Sequence, residues 1–338
     1  MEKFCLKNIY SRLGDEESRF LFEKRLNWSL TGDMQRMIYS INRDMNQKKV
    51  YYEKLIKTPK EIFLFGAGIS SHLVVKAFPE IHWSAFIDND DSKVDKSDIL
   101  PIISFQKFIA NSDNAMVFIA SSIYSAEMKQ QLVSNGFPED SIIQSFTHGT
   151  YFDLPYFKPQ NNEFFIDAGG YDGSTTKNFF EWMQNNNVSG GRSIVFEPNP
   201  VQYPVCKNNS RNYNNVEVVN KGLWNKKETI GFCKKGEGSR IISGGEETIE
   251  VVSLDEYLKD EKEPVTFIKM DIEGAELNAL KGTKRIITEQ KPKLAICIYH
   301  KPEDIWEIPS LLLEFTPDYK FYIRHYFWSH LDTILYAL

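Results

Sequence analysis

The chain has 338 residues, of which 42% are hydrophobic and 25% are charged, and its formal net charge is −6. This length favours two domains, and the composition is ordinary for a soluble globular protein with a substantial core. A negative net charge without a long basic run argues against nucleic acid as the main partner.

The sequence has four cysteines, Cys5, Cys206, Cys233 and Cys297. Their spacing matches neither CxxC nor Cys/His zinc motifs, which is typical of proteins in a reducing compartment. Residues 1–18 are rich in charge and lack the apolar core of a signal peptide. No apolar run approaches the roughly 20 residues that cross a membrane. We therefore predict a cytoplasmic protein without a membrane span.

Residues 1–58 contain no strand-like run, and their apolar side chains recur at mostly helical intervals. Thr31-Gly32-Asp33 has the composition of a helix break followed by a cap. These residues are therefore predicted to form a helical arm, which Thr58-Pro59 ends.

The next segment has the pattern of a small Rossmann-like α/β domain, predicted over residues 59–148. A short apolar strand runs into the turn Gly66-Ala67-Gly68, and a second strand ends in Asp88, twenty positions after Gly68. In the dinucleotide-binding fingerprint, such a turn holds a pyrophosphate and such an acid binds a ribose. Ser71 replaces the third glycine of that fingerprint.

The segments Phe65-Gly66-Ala67-Gly68, Phe86-Ile87-Asp88-Asn89-Asp90 with Lys93, and Asn135-Gly136-Phe137 carry a family resemblance. They resemble the amino-terminal domains of sugar-modifying enzymes, including the nucleotide-sugar-binding part of some sugar acyltransferases. Two interpretations stay open: a site for a nucleotide or nucleotide sugar, or a scaffold or homodimerisation domain that keeps the turn. Residues 149–162 are turn-rich and aromatic, and we interpret them as a linker that packs on neighbouring structure.

A second glycine turn begins the remaining domain, predicted over residues 163–338. An apolar strand leads into Asp167, and Gly169, Gly170 and Gly173 follow before a helical pattern starts. The next strand delivers Glu197 at its end, where a carboxylate can accept both ribose hydroxyls of a nucleoside. Because α/β proteins bind ligands at the carboxyl ends of parallel strands, this turn is a candidate cofactor site.

Antiparallel strands are predicted at Thr229 to Cys233 and at Glu247 to Val252. The glycine-rich segment 234–245 between them carries Ser239 and Arg240. It could close over a substrate as a lid, or it could be an ordinary hairpin excursion.

Two further core strands end in side chains that can transfer protons. After a third strand, Val216 to Val219, the fourth core strand ends at Asp271. Glu273 and Glu276 follow at the start of a predicted long helix. The helix dipole accounts for Glu276, whereas Asp271 and Glu273 are predicted site residues. The fifth strand ends in His300 at the same edge of the sheet.

Six segments occur in a fixed order along the second domain: Phe165-Ile-Asp-Ala-Gly-Gly-Tyr-Asp-Gly-Ser, Val195-Phe-Glu-Pro-Asn-Pro, Val252-Ser-Leu-Asp, Ile268-Lys-Met-Asp-Ile-Glu-Gly-Ala-Glu, Leu280-Lys-Gly and Lys291-Pro. Together they are highly specific, and residues 163–338 resemble the FkbM family of S-adenosylmethionine-dependent methyltransferases. The chain departs from many members at Ile298-Tyr299-His300, where an acid commonly precedes the histidine. This departure weakens the case for an acid–histidine pair as the base.

The resemblance implies a class I methyltransferase sheet of seven strands, the last of them antiparallel, and S-adenosyl-L-methionine as the cofactor. It implies that the methionine part of the cofactor lies beside Asp167, Gly169, Gly170 and Asp172. By the same resemblance, Glu197 would hold the ribose hydroxyls and Asn199 would lie near the adenine. Asp271 would stand where the sulfonium and the acceptor meet.

A sugar hydroxyl is a poor nucleophile and would benefit from a base, for which His300, Glu273 and Asp271 are the candidates. A divalent metal is a second way to activate a hydroxyl, but the sequence offers no clear ligand set, so none is predicted. The predicted reaction is O-methylation of a sugar, a nucleotide sugar, or a precursor of a polysaccharide or secondary metabolite. The acceptor is thus a small molecule or glycan.

Two alternatives belong to other classes of protein. A nicotinamide-dependent or nucleotide-sugar-binding protein would use the turn Gly66 to Gly68 together with Asp88. A non-catalytic sugar-binding or assembly protein would not need Asp167 or Glu197, although both are present. Binding measurements with NAD and with the methyl donor would separate these alternatives.

Overall fold

The computed structural model describes residues 6–94, 96–121, 124–144, 150–233, 240–241 and 247–338. Its contacts divide the chain into two compact units. The large unit comprises Met1–Ser29, Gly149–His325 and Asp332–Leu338, and the small unit comprises Leu30–His148 and Tyr326–Leu331. These units differ from the predicted ranges because they divide the helical arm after Ser29 and assign residues 326–331 to the small unit.

The described part of the predicted arm is helical. Its helices are α1 (Leu6–Arg12), α2 (Glu16–Thr31), α3 (Met34–Asp44) and α4 (Asn46–Lys57). The break predicted at residues 31–33 is present, and the Asp33 side chain accepts a hydrogen bond from the backbone N–H of Arg36. This bond satisfies one of the donors that the first turn of a helix leaves unpaired.

The small unit contains a five-stranded parallel sheet in the order β3-β2-β1-β4-β5. Its strands are β1 (Glu61–Phe65), β2 (Trp83–Asp88), β3 (Ile102–Ser104), β4 (Ala115–Ile119) and β5 (Ile142–Gln144). Helices α5 (Ile69–Ala77), α6 (Phe105–Ile109) and α7 (Ser125–Ser134) connect them. The three-residue strand β3 has no counterpart in the sequence prediction, because so short a strand leaves no recognisable alternation.

The segment Tyr326–Leu331 belongs to the small unit through Trp328, which is fully buried. The ring of Trp328 lies 5.5 Å from that of Phe78 and 5.2 Å from that of Phe118. Asn42 donates a hydrogen bond to the carbonyl of Trp328, and Lys48 donates one to the carbonyl of Phe327. A late piece of the chain thus completes the core of the small unit.

The large unit is built on a seven-stranded sheet in the order β15-β16-β14-β13-β6-β7-β8. Its strands are β6 (Phe164–Ala168), β7 (Arg192–Phe196), β8 (Val216–Val219), β13 (Phe267–Met270), β14 (Lys293–Cys297), β15 (Phe321–His325) and β16 (Thr333–Ala337). Strand β16 runs antiparallel to both of its neighbours, and the pairs from β14 to β8 are parallel. The predicted seven-stranded sheet with an antiparallel last strand is confirmed.

A separate four-stranded sheet has the order β11-β10-β12-β9. Its strands are β9 (Gly222–Leu223), β10 (Glu228–Cys233), β11 (Arg240–Ile241) and β12 (Glu247–Val252). The predicted antiparallel pairing of β10 with β12 is confirmed. Ser239 and most of the proposed lid lie outside the described residues, and only the backbone of Arg240 is described, as part of β11.

Helices cover the faces of the large sheet. They are α8 (Ser174–Asn185), α9 (Gln202–Ser210), α10 (Leu254–Tyr257), α11 (Glu276–Lys281), α12 (Lys284–Gln290) and α13 (Asp304–Phe315). The single long helix predicted from Glu276 is wrong, because α11 and α12 are separate helices. A Cβ on Gly282 would lie 2.0 Å from the carbonyl oxygen of Trp224, so the chain turns where it passes that backbone closely.

The aromatic segment after residue 149 packs on the large sheet, as its composition suggests. Phe157 lies 4.7 Å from Phe267 and 5.8 Å from Trp182, between ring centroids, and Phe152 lies 6.0 Å from Phe165. These buried rings fix the path by which the chain enters β6. Among the described residues, no helix is both long and apolar enough to span a membrane.

Candidate functional site

The turn after β6 is packed too tightly to admit side chains at two positions. Gly169 has a φ of 86°, and a Cβ there would lie 1.9 Å from the backbone oxygen of Asp271. A Cβ on Gly170 would lie 2.1 Å from Cγ1 of Val195. The glycines therefore let the turn approach both neighbouring strands, and they leave backbone groups rather than side chains at the carboxyl edge of the sheet.

A buried ion pair between two neighbouring strands holds this turn in place. Asp167 and Lys269 are 0% and 2% exposed, and their Oδ1 and Nζ atoms lie 2.9 Å apart. Lys269 also donates a hydrogen bond of 2.6 Å to the carbonyl of Gly169. Although burial opposes the charge, the carboxylates of Asp167 and Asp271 outweigh it and raise the pKa of Lys269. Oδ2 of Asp167 is buried and makes no hydrogen bond to any described residue.

Glu197 lies at the end of β7, next to the turn. Its Oε2 accepts a hydrogen bond of 2.7 Å from the backbone N–H of Tyr171, and its Oε1 accepts one of 2.8 Å from that of Asn199. Burial raises the pKa of Glu197. Asp172 accepts a hydrogen bond from the backbone N–H of Ser174 at the start of α8. The predicted cofactor residues thus share one edge of the sheet, where Glu197 is oriented by the turn itself.

Asp271, directly after β13, is held by two tyrosines. The hydroxyl of Tyr151 donates to Oδ2 at 2.8 Å, and that of Tyr299 donates to Oδ1 at 2.9 Å. Burial favours the neutral acid, but the charges of Lys269 and His300 and these hydrogen bonds outweigh it and lower the pKa of Asp271. Asp271 is therefore a fixed, ionised carboxylate.

The structure brings His300 to the predicted acids. Its Nε2 lies 3.5 Å from Oδ1 of Asp271 and 3.6 Å from Oε2 of Glu273, and its Nδ1 lies 3.0 Å from Oε1 of Glu276. Burial opposes the imidazolium, but Glu276 and the other two carboxylates outweigh it and raise the pKa of His300 to about 9. With no further ligand present, His300 therefore carries a proton at neutral pH. Donor atoms of Asp271, Glu276 and His300 all lie within 4.8 Å of one another, which is close enough to hold a metal ion.

Three residues of this site were missed in the sequence. Lys269 could have been found, because a lysine inside a buried central strand requires a partner charge. Glu276 was assigned to the helix dipole, but it is only 1% exposed and accepts a hydrogen bond from the backbone N–H of Ile272. Tyr151 gave no signal, because its contact with Asp271 spans 120 positions of the chain.

In the small unit, the first glycine turn is hydrogen-bonded to Asp88, the acid at the end of the next strand. Oδ2 of Asp88 accepts hydrogen bonds from the backbone N–H of Ala67 at 2.8 Å and from Nζ of Lys93 at 3.1 Å. Oδ1 accepts a third from the backbone N–H of Asp90. Burial alone would raise the pKa of Asp88, but these hydrogen bonds and the charge of Lys93 outweigh burial, so the pKa is lowered. Asp88, the acid that the fingerprint assigns to a ribose, therefore accepts hydrogen bonds from its own surroundings, including the backbone of the glycine turn.

The strand order of the large unit, with a glycine turn after its central strand β6 and acids after β7 and β13, defines a class I methyltransferase fold. More specifically, residues 167–326 match the family model of the methyltransferase FkbM domain. The match begins at Asp167 and spans every predicted site residue. The match supports methyl transfer as the activity of this part of the chain.

One solved structure supports the fold, and others align with the chain more weakly. The methyltransferase FkbM from Methylobacillus flagellatus KT is 18% identical, with a TM-score of 0.52, and the alignment covers 94% of this chain and 98% of that one. The fibrillarin/NOP5P complex is 15% identical over 53% of this chain and 74% of that one, with a TM-score of 0.36. Aeropyrum pernix fibrillarin, in complex with natively bound S-adenosyl-L-methionine, is 11% identical over 56% and 72%, with a TM-score of 0.35. No curated protein matches the sequence significantly.

Proposed function

We propose that the protein is an S-adenosyl-L-methionine-dependent O-methyltransferase. The proposed acceptor is a hydroxyl of a sugar, a nucleotide sugar, or a precursor of a polysaccharide or secondary metabolite. The observation that carries the proposal is the hydrogen bond between Tyr171 N–H and Glu197, which joins the glycine turn to the acid of the next strand. A nucleoside bound at the turn would then meet an oriented carboxylate.

The residues present fit the cofactor. Gly169 and Gly170 let the turn approach the neighbouring strands without side chains, and Oδ2 of Asp167 makes no hydrogen bond to a described residue. Each oxygen of Glu197 accepts one backbone hydrogen bond and keeps a second lone pair, which a ribose hydroxyl could use. We assign the ribose to Glu197 and the adenine to the vicinity of Asn199.

Bound S-adenosyl-L-methionine supplies an electrophilic methyl group. The contribution of the chain is to orient the acceptor and to receive its proton. Tyr151 and Tyr299 fix the carboxylate of Asp271, so a hydroxyl that donates to it is held in one direction. His300 already carries a proton at neutral pH and cannot take another. We therefore assign the role of proton acceptor to the carboxylates of Asp271 and Glu273.

Calorimetric titration with S-adenosyl-L-methionine tests the cofactor assignment. Glu197→Ala removes two charge-assisted hydrogen bonds to the ribose, so we expect at least about a hundredfold loss of affinity. Asp88→Ala is the matched control, because it also removes a carboxylate that closes a glycine turn, and it should leave the affinity unchanged. Thermal unfolding establishes that both variants fold.

An unchanged affinity in folded Glu197→Ala would remove Glu197 from the site. A parallel titration with NAD addresses the alternative reading of the first turn. Binding of NAD that Asp88→Ala abolishes, without binding of the methyl donor, would replace the proposal with a nicotinamide-dependent function.

A further inference from the structure

Four side chains that can bind metals converge beside the methyl-transfer edge: Asp271, Glu273, Glu276 and His300. They come from the end of β13, the turn after it, the first residue of α11 and the segment after β14. Their sequence spacing resembles no metal motif, because the histidine follows the acids by more than twenty positions. Only folding assembles the set.

The histidine of this cluster lies among three carboxylates but makes no well-aligned hydrogen bond to a described residue. The His300 side chain is 9% exposed, and neither ring nitrogen makes a hydrogen bond to a described residue. Its Nε2 faces Asp271 and Glu273, while its Nδ1 lies at ion-pair distance from Glu276. Oε2 of Glu276 is also buried and makes no hydrogen bond within the described ranges. Buried polar groups normally have partners, so the cluster has capacity for a ligand.

We propose that the cluster binds one divalent cation through Nε2 of His300, Oδ1 of Asp271 and a second carboxylate. Both Glu273 and Glu276 are candidates for that carboxylate, and we assign Oε2 of Glu273 because its nearest ring nitrogen is Nε2, whereas Oε1 of Glu276 lies nearest Nδ1. The distances of 3.5 and 3.6 Å from Nε2 to the two oxygens compare with about 3.0–3.4 Å between neighbouring ligands around a cation with bonds of about 2.1 Å. Oδ1 of Asp271 accepts one hydrogen bond, from Tyr299, and keeps a lone pair for the cation.

Glu276 has a separate, positioning role in this site. Histidine ligands generally donate their second ring N–H to a carboxylate, which fixes the tautomer and the ring. Oε1 of Glu276 lies 3.0 Å from Nδ1, whereas the two ligand acids lie nearest Nε2. One imidazole and two carboxylates form a mixed ligand set that suits manganese(II) and similar transition metals better than calcium.

The chemical role of the cation rests on the proposed function. A cation at Asp271 would bind the acceptor hydroxyl and lower its pKa, so that a weak base such as solvent water could take the proton as the oxygen attacks the methyl group. The existence of the site does not depend on methyl transfer, so the two claims can fail separately.

The test uses manganese(II) as the probe on the full chain, stripped with a chelator, without methyl donor or acceptor. An electron paramagnetic resonance titration should find one ion per chain, and pulsed spectra should show nitrogen coupling from His300. His300→Gln should remove that coupling, and both His300→Gln and Glu273→Gln should weaken binding at least tenfold. His82→Ala, which removes an exposed histidine of the small unit, should bind as the unaltered protein does.

Two results overturn the site: no binding at millimolar manganese(II), or binding without nitrogen coupling that neither cluster variant weakens. In both cases, the cluster is explained by a protonated His300 that is ion-paired with the surrounding carboxylates, without a metal ion. Glu273 is partly exposed, at 35% of its side chain, so Glu273→Gln keeps the test valid even if His300→Gln fails to fold. Calorimetry with S-adenosyl-L-methionine on the same samples reports on the proposed function independently.

Discussion

The two glycine turns of this chain have similar sequences but differ in how closely their surroundings pack. A Cβ on Gly68 would meet nothing within 4 Å, and one on Gly66 would meet only the flexible end of Met128 at 3.3 Å. In the second turn, the corresponding atoms on Gly169 and Gly170 would collide with Asp271 and Val195. Packing therefore requires the glycines of the second turn, whereas the first turn has open surroundings and only the φ of 92° at Gly66 favours glycine there.

The ion pairs beside the two turns differ in the same way: the pair beside the second turn is more deeply buried. Asp88 pairs with Lys93, whose side chain is 45% exposed, whereas Asp167 pairs with a lysine that is 2% exposed. A buried pair holds its surroundings in one arrangement, while an exposed pair is screened by water. The comparison indicates that a glycine turn marks a preorganised site when the neighbouring backbone and buried charges fix it.

The strongest test of this comparison replaces one glycine in each turn. Gly169→Ala forces a side chain against a backbone carbonyl at a φ of 86°, so we expect loss of cooperative folding of the large unit. Gly68→Ala should change the free energy of unfolding by less than about 1 kcal/mol, since its site is open. Calorimetric unfolding of both variants measures the difference. Similar stabilities would show that the second turn is not fixed by packing.

The ion pairs give the next largest effect. Lys269→Met leaves Asp167 buried without its cation and should destabilise the protein by about 3–5 kcal/mol. Lys93→Met, the matched change beside Asp88, should cost less than about 1 kcal/mol. Chemical denaturation measures both. The double variant Asp167→Leu/Lys269→Met should recover much of the loss, and a failure to do so would attribute the effect to the hydrogen bonds of Lys269 instead.

The sequence predicts the fold well because the fold depends on local patterns. The strands around Asp167, Glu197 and Asp271 are short apolar runs ended by an acid or a turn, and such runs specify a parallel sheet. The break between α11 and α12 was missed because it depends on the approach of Gly282 to Trp224, a contact between segments distant in sequence.

The chemistry of the site was predictable only in part. Strand ends identified Asp271 and His300, because the carboxyl edge of a parallel sheet collects them. The partners that set their properties, Tyr151 and Glu276, arrive from the aromatic segment and from a helix start, and no spacing rule connects them to the strands. The positions of the candidate site residues thus follow from topology, whereas their protonation states follow from tertiary contacts.

The smallest expected effect concerns pH and contrasts one acid from each unit. Burial, together with the Glu276 carboxylate, raises the pKa of Asp304 to about 7, although Lys301 and His300 oppose the shift. The folded state then binds more protons than the unfolded state from about pH 4 to pH 7, so stability falls as the pH rises through this range. Asp304→Asn removes this dependence and keeps an oxygen to accept the hydrogen bond from the backbone N–H of Lys301.

Relative to the unaltered protein, Asp304→Asn should therefore gain about 2 kcal/mol of stability between pH 5 and pH 8. Asp88→Asn should behave in the opposite sense, because the pKa of Asp88 is lowered. Its stabilising contribution is present above the ordinary pKa of an aspartate and is lost only as the pH falls through the folded value, so this variant should show a constant deficit from pH 5 to pH 8. Denaturant titrations at both pH values measure the two differences. If the stability difference between Asp304→Asn and the unaltered protein is the same at pH 5 and pH 8, the carboxyl of Asp304 is ionised in the folded protein. The large unit would then neutralise this acid with neighbouring positive charges, as Lys93 does for Asp88.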